Sequence, residues 1–154
     1  MILYLVRLQD ITINNAAIPS DWKRTTVVPI YNEGDRSLVT NYRQISLTSV
    51  VCKQMEHVIA GYLRQVWDTN KCLCQGHHAF RPGYSCESPI VTVCQDIADS
   101  LDEGARIEAI KMDFSKAFDF VPYDMLLMKI AASGVDSRVV VWMREFLLGR
   151  SQRE

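Results

Sequence analysis

The stretch IKMDFSKAFDFVP, residues 110–122, decides how the rest of the chain is interpreted. Its first residues are mostly apolar and predict a short strand that ends at Asp113, followed by a tight turn and the pair Phe118-Asp119. A carboxylate at the end of a buried strand must reach water, a cation or a helix N-terminus, because an unpaired buried charge is costly. Asp113 is therefore either a metal ligand held at a sheet edge or the cap of a short helix that begins at Ser115.

The overall composition is that of an ordinary globular domain. The chain has 154 residues, of which 48% are hydrophobic and 23% charged, and this is enough for one domain with a core. Its net charge of -1 gives no overall basic signal for nucleic acid. Residues 20–81 carry 8 Lys or Arg against 5 Asp or Glu, whereas residues 96–124 carry 8 acidic and 3 basic side chains. This asymmetry suits an anionic ligand beside a metal site, although solvated surface produces it too.

The five cysteines are odd in number and irregularly spaced, which predicts reduced thiols in an intracellular protein. Cys72 and Cys74, followed by His77 and His78, fit zinc poorly, because C-x-C is a poor spacing and no second ligand pair follows. The apolar start, MILYLVRLQDI, is interrupted by two charges and predicts no membrane span. We expect a soluble intracellular protein, nuclear or cytoplasmic, with neither a membrane nor a protein partner.

Hydrophobic periodicity predicts helices over residues 2–13, from a cap at Ser46 or Thr48 to about Asp68, from 85–89 to about Gly104, and over 123–133 and 136–148. Each of the first three helices has an apolar stripe that is expected to face the core. In the first helix it consists of Ile2, Leu5, Leu8 and Ile11, and in the second of Leu47, Val51, Met55, Val58, Ile59, Tyr62 and Val66. In the third helix it consists of Ile90, Val93, Cys94, Ile97 and Leu101. Glycines at 134 and 149 are expected to end the last two helices.

A β-hairpin is predicted near the N-terminus. VVPIY (27–31) and YRQISL (42–47) have strand character, and the segment between them is polar and rich in turn residues. Pro29 restricts the first strand to an edge or a bulge, and Trp22 in the turn before it is expected to anchor on the core. The helices and strands alternate too irregularly for a doubly wound sheet, so the predicted fold class is α+β.

Three segments occur in the order and at the spacing of one known family. IPSDWKRTTVVPIYNEGDRSLVTNYRQISL (18–47), HHAFRPGYSC (77–86) and MDFSKAFDFVP (112–122) resemble the reverse transcriptase domain of non-LTR (LINE-type) retrotransposons. The resemblance runs from about Ile18 to Arg150. It implies that residues 1–154 are a partial reverse transcriptase domain of a right-hand polymerase, with fingers at about 18–104 and the start of the palm at about 105–154.

The resemblance implies a catalytic role for the stretch that contains Asp113. This residue occupies the place of a metal ligand of the polymerase site, and the carbonyl of Phe114 would assist it. Phe118 fills the place of the bulky residue that packs under the incoming sugar and rejects a 2′-hydroxyl. The implied cofactor is Mg²⁺ in a two-metal site, which suits the charge neutralisation that phosphoryl transfer needs.

The resemblance also implies binding roles for residues of the fingers. Arg43 would contact the incoming nucleotide, and Arg81 with Gly83 would contact the template. The implied partners are an RNA template, a DNA primer and dNTPs. A simpler interpretation remains open, in which Arg43 and Arg81 are surface arginines and Phe118 is a core aromatic residue.

Five positions depart from the usual family pattern. Asn32 and Glu33 replace a lysine pair, which should weaken triphosphate binding by removing positive charge. Gln44 replaces a proline and Phe120 replaces a common lysine. Ala79 replaces a glycine, which is unfavourable if the backbone there requires a positive φ.

The sequence contains no Asp-Asp pair, the second catalytic element of the family, and it ends before that hairpin and the thumb. With one of the three carboxylates, the 154-residue chain is expected to be catalytically inactive by itself. Two functions therefore remain open. The chain is a segment of an RNA-directed DNA polymerase whose full-length parent performs template-directed nucleotidyl transfer, or it is an inactive transposon remnant with at most weak nucleic-acid binding.

Overall fold

The computed structural model describes residues 2–74, 76–114 and 117–153, and the side chains of all of these except Ile2 and Arg153. The helices and strands of these residues are α1 (Ile2–Asn15), β1 (Arg24–Tyr31), β2 (Tyr42–Leu47), α2 (Val50–Thr69), α3 (Ser88–Asp102), α4 (Tyr123–Ala132), α5 (Ser137–Leu147) and β3 (Ser151–Arg153). Short 3₁₀ turns lie at Ser20–Trp22 and Val39–Asn41. This mixture of helices and a small sheet confirms the predicted α+β class.

The chain divides into two compact units. The first unit comprises Met1–Asn70 and Val121–Glu154, and the second comprises Lys71–Phe120. The described helices include none that is both long enough and apolar enough to cross a membrane.

The sheet of the first unit has the strand order β2-β1-β3. β1 and β2 are antiparallel and pair from Thr26 with Leu47 to Tyr31 with Tyr42, which confirms the predicted hairpin. β3 was not predicted, and it pairs in parallel with residues 24–26 of β1 only. Pro29 therefore lies where β1 has β2 as its sole neighbour in the described sheet, as expected for a residue without a backbone donor.

The core of the first unit is formed where α2 packs with α4 and α5. Its buried apolar residues are Trp22, Cys52, Met55, Ile59, Leu63, Ile130, Val135, Val139 and Trp142. Burial of Trp22 confirms that the turn before β1 is anchored on this core. Cys52 is completely buried; burial, followed by the nearby Glu56 carboxylate, raises the pKa of its thiol to about 12.

Three hydrogen bonds join α2 to the turn between α4 and α5. Trp67 Nε1 donates to Ser133 Oγ at 2.8 Å, and Asn70 Nδ2 donates to the Ser133 carbonyl at 2.9 Å. The backbone N–H of Asp136 donates to the Tyr62 hydroxyl at 3.1 Å. The residues joined by each bond are separated by 63–74 positions in the chain, so these bonds fix the end of α2 against the α4–α5 turn.

Helix boundaries follow local capping chemistry. Ser49, rather than the predicted Ser46 or Thr48, caps α2 by accepting a hydrogen bond from the Cys52 N–H at 3.2 Å. Asp136 caps α5 in the same way through the Arg138 N–H at 2.8 Å. Gly134 and Gly149 have φ of +86° and +66° and follow α4 and α5, as predicted.

The inward faces of the first two helices differ in part from the prediction. α1 packs Leu8 against the core and buries Thr12, whereas Ile11 is exposed. In α2, Cys52 and Leu63 are buried and Val58 is exposed. The predicted positions that do lie in or against the core are Leu8, Val51, Met55, Ile59, Tyr62 and Val66. Helical period alone leaves the edges of an apolar face uncertain where apolar residues are frequent.

The predicted inward face of α3 is wrong as a core face. Ile90, Val93, Cys94 and Leu101 are exposed, and Ile97 is half-buried. In the described part of the second unit no residue is fully buried. Amphipathic periodicity predicts that a helix has an apolar stripe. It does not predict whether another part of the chain covers that stripe.

The predicted strand that ends at Asp113 is also wrong. Residues 105–114 form neither a strand nor a helix and are exposed throughout. A strand is held by hydrogen bonds to a neighbouring strand, and the three described strands pair only among themselves. The helix predicted to begin at Ser115 lies outside the described residues.

Candidate functional site

The hairpin places Arg43 on one face of a two-stranded ribbon. Arg43 lies opposite Ile30, and alternation along the strands puts it on the face that carries Val28, Ile45 and Leu47. All of these apolar side chains are exposed, and so is Arg43. This face therefore offers apolar surface next to a positive charge, which suits a base together with a phosphate.

The tip of the hairpin is ordered by its own polar groups. The Asp35 carboxylate accepts hydrogen bonds from the N–H and hydroxyl of Ser37 at 2.9 and 2.8 Å, and these bonds lower the pKa of Asp35. Asn41 Nδ2 donates to the Asp35 carbonyl at 2.8 Å. Gly34 has φ of +91°, and a Cβ there would lie 2.7 Å from Asn41 Nδ2, so the tip requires glycine at this position.

The other face of the hairpin carries an aromatic pair at its end. Tyr31 and Tyr42 meet edge to face with centroids 5.8 Å apart, and the Arg36 guanidinium lies 5.0 Å from the Tyr31 ring centroid. The Tyr42 hydroxyl donates to the Arg36 carbonyl at 2.9 Å. Arg36 thus supplies a positive charge close in the chain to Asn32 and Glu33, which stand where the resemblance leads us to expect a lysine pair.

The loop that contains Arg81 and Gly83 is built on a tight turn. The Tyr84 N–H donates to the Arg81 carbonyl at 3.3 Å across Pro82 and Gly83. Gly83 has φ of +81°, so proline followed by a left-handed glycine gives the pattern of a type II turn. The Arg81 guanidinium lies 5.3 Å from the Tyr84 ring centroid, which fixes its direction by a cation–π contact.

The positive φ that would make Ala79 unfavourable is found one residue later. Ala79 is not among the residues with positive φ, whereas Phe80 has φ of +58°. The condition under which the loss of glycine at Ala79 would be unfavourable is therefore not met in this backbone. An aromatic residue in the left-handed region is an outlier, because its Cβ crowds the backbone there.

Asp113 is exposed, and among the described residues no hydrogen bond or ion pair engages its carboxylate. The neighbouring Phe114 is exposed as well. The carboxylate is therefore accessible to a cation from solvent, although the strand that was expected to hold it is absent from the described residues.

Phe118 is exposed and not a core residue, so that simpler interpretation of it is wrong. Its ring meets Phe80 edge to face, with centroids 6.2 Å apart and an angle of 84° between the planes. This contact joins the Arg81 loop to the segment that contains Asp113. Sequence reasoning did not select Phe80, and its only signal was an aromatic residue directly before Arg81.

The two units divide the predicted site residues. Asp113, Phe114, Phe118, Arg81 and Gly83 belong to the second unit, and Arg43 belongs to the first. In the described part of the chain no three His, Cys, Asp or Glu side chains group closely enough to hold a metal ion. The residues near Asp113 thus fit a divalent cation only as a partial ligand set of one carboxylate and backbone carbonyls.

Comparison with known proteins identifies a family and a relative. The family model described as reverse transcriptase (RNA-dependent DNA polymerase) matches residues 30–154. A probable RNA-directed DNA polymerase from transposon BS of Drosophila melanogaster is 28% identical to the chain over 130 residues. That alignment covers 84% of this chain and 14% of the relative, so the chain spans about one-seventh of the relative's length.

Proposed function

Because the chain belongs to the reverse transcriptase (RNA-dependent DNA polymerase) family, we propose that it supplies nucleotide-binding and template-binding surfaces to the polymerase of a non-LTR retrotransposon. In this proposal, residues 18–104 act as fingers and residues 105–154 begin the palm of a right-hand polymerase. The reaction is transfer of a nucleotide from a dNTP to a DNA primer, directed by an RNA template. The proposed setting is intracellular, where an odd number of irregularly spaced cysteines would stay reduced.

The observation that carries the proposal is the accessible carboxylate of Asp113 within a chain that matches this family. Mg²⁺ commonly takes one or two carboxylates, with the remaining ligands from water and substrate phosphates. Asp113 and the Phe114 carbonyl would hold one ion of the two-metal site. When bound, the ion would neutralise charge on the phosphate oxygens during transfer.

The other residues bind and select the substrates. The exposed ring of Phe118 would pack under the sugar of the incoming nucleotide and exclude a 2′-hydroxyl by its bulk. Arg43 would contact the nucleotide, since its planar guanidinium can pair with a phosphate or stack on a base. Arg81 would contact the template from the type II turn that Gly83 permits, and its cation–π contact with Tyr84 would limit its motion.

A second candidate function is RNA binding without catalysis by this polypeptide. The observation that favours it is the exposed face of the hairpin, where Arg43 lies beside apolar side chains that suit a base. Two catalytic ions need more carboxylates than Asp113 alone, because both must be fixed near the transferred phosphate. The two candidates share RNA binding and differ in nucleotidyl transfer.

RNA affinity of the 154-residue chain tests the shared part of both candidates. Binding to a fluorescein-labelled single-stranded RNA, measured by anisotropy, is expected to be weak and to fall as salt rises. Each of Arg43→Ala and Arg81→Ala should weaken binding and reduce the salt slope by about 0.7, the value for one phosphate contact on a single strand.

The matched control is Arg64→Ala, which removes an exposed arginine from α2 with the same change in net charge. This variant should keep the wild-type salt slope. Absence of binding at low salt, or binding that salt does not affect, would refute the proposed nucleic-acid surface.

A further inference from the structure

Phe80 combines two features that are unfavourable in a residue with no binding role. Its backbone has φ of +58°, and its side chain is 82% exposed. A strained backbone conformation persists when the surrounding structure or a function requires it, and such residues cluster at ligand-binding sites. Burial of the ring does not compensate for the strain here, because the ring lies almost entirely in solvent.

The ring of Phe80 is nevertheless held in place. Its centroid lies 6.2 Å from that of Phe118 at an angle of 84°, the edge-to-face geometry that aromatic pairs prefer. Phe118 is itself 81% exposed, so the two rings form an open aromatic surface. Phe120, two residues further along, is also exposed but has no ring partner among the described residues.

The loop that carries Phe80 is basic. Residues 71–86 contain Lys71 and Arg81 and no aspartate or glutamate. Asp119 follows Phe118 directly in the sequence, and this carboxylate would repel a phosphate. A neutral base can occupy the aromatic surface beside it, while the phosphates lie toward the basic loop. Basic side chains combined with exposed aromatic rings are the usual composition of single-strand binding surfaces.

We propose that Phe80 is a stacking platform for a base of single-stranded RNA, and that Phe118 holds its ring in position. The proposal rests on the proposed function, because the occupant is the RNA template. It adds a stacking contact to the Arg81 turn, so the loop would bind the strand by one phosphate contact and one base contact. Stacking tolerates any base, so the contact would show little sequence preference.

Phe80→Gly separates stacking from folding. Glycine adopts φ of +58° without strain, so the variant should be at least as stable as the wild type in thermal unfolding followed by circular dichroism. The same variant should bind single-stranded RNA about 5-fold to 150-fold more weakly, the range for loss of one base–aromatic stack. Its salt slope should equal that of the wild type, because a phenyl ring makes no phosphate contact.

Two further variants complete the experiment. Phe80→Trp should keep or increase the affinity, and the fluorescence of 2-aminopurine in the RNA should be quenched as in the wild type. Phe120→Ala removes an equally sized exposed ring from the same unit and should leave the affinity unchanged.

The outcomes distinguish this proposal from the proposed function. Wild-type binding with unchanged affinity in Phe80→Gly would overturn the stacking role alone. A clear loss of stability in Phe80→Gly would also overturn it, because the ring would then serve packing. Absence of RNA binding by the wild-type chain would overturn both proposals.

Discussion

Replacing Gly134 by alanine should destabilise the first unit, because two costs fall on this residue. Its φ is +86°, and a left-handed conformation costs an alanine roughly 1–2 kcal/mol. A Cβ at Gly134 would lie 2.7 Å from Asn70 Nδ2, so the amide must move. That amide donates to the Ser133 carbonyl, and a lost hydrogen bond costs about 1 kcal/mol. Together the two costs predict a loss of about 2–3 kcal/mol in the free energy of unfolding.

Urea denaturation followed by tryptophan fluorescence measures this loss directly. All three tryptophans belong to the first unit, so their emission reports that unit alone. Asn70→Ala is the matched control, because it removes the hydrogen bond and the obstructing amide but leaves the glycine conformation intact. The Asn70→Ala variant should lose about 1 kcal/mol in the free energy of unfolding.

The double variant decides whether the steric account is correct. The Asn70 hydrogen bond is lost in both single variants, so the double variant should be more stable than additivity predicts, by about 1 kcal/mol. A Gly134→Ala protein within about 0.5 kcal/mol of the wild type would refute the reasoning. Strict additivity in the double variant would refute the proposed clash with the Asn70 amide. The cost of a left-handed alanine backbone would then remain as the explanation.

Two other predictions concern the site and the cap of α5. The 154-residue polypeptide should extend no primer on an RNA template with Mg²⁺ and dNTPs, because its sequence contains no Asp-Asp pair to supply the further carboxylates that two catalytic ions need; extension that Asp113→Ala abolishes would contradict this. Hydrogen bonds from the side chain and N–H of Arg138 lower the pKa of Asp136 from its usual value. The stabilisation by this carboxylate is therefore present above about pH 4, the usual pKa of an unfolded aspartate, and is lost as pH falls through the lower, folded-state pKa. Asp136→Asn keeps a capping group and should show a smaller loss of stability between neutral pH and about pH 2 in urea titrations, and an unchanged loss would count against this cap.

Features with local causes could be predicted from the sequence. The hairpin follows from two strand-like runs around a polar tip, and the ends of α4 and α5 follow from Gly134 and Gly149. Trp22 was expected on the core and lies there. The residues that determine the hairpin and the two helix ends are close together in the chain, so a local sequence pattern is enough to predict them.

Features that depend on a distant partner could not be predicted in the same way. The strand before Asp113 requires a neighbouring strand, and the apolar face of α3 requires a covering surface; the described chain provides neither. β3 is a three-residue strand whose pairing with β1 spans most of the chain, and such a short run carries no periodic signal.

The candidate site shows the same limit. The family resemblance selected Asp113, Arg43 and Arg81, and their roles stay predictions. Phe80 was missed, because its left-handed backbone and its contact with Phe118 are properties of the folded loop. The sequence before Arg81 shows only an ordinary phenylalanine.

The placement of the five cysteines gives each unit a different chemical label. Cys52, buried with a pKa raised to about 12, is the cysteine of the first unit, while the four exposed thiols all lie in the second. A maleimide dye added to the folded protein would therefore label the second unit and leave the first unit unlabelled. The rate of the later reaction at Cys52 would then report how fast the core of the first unit opens, without any engineered cysteine.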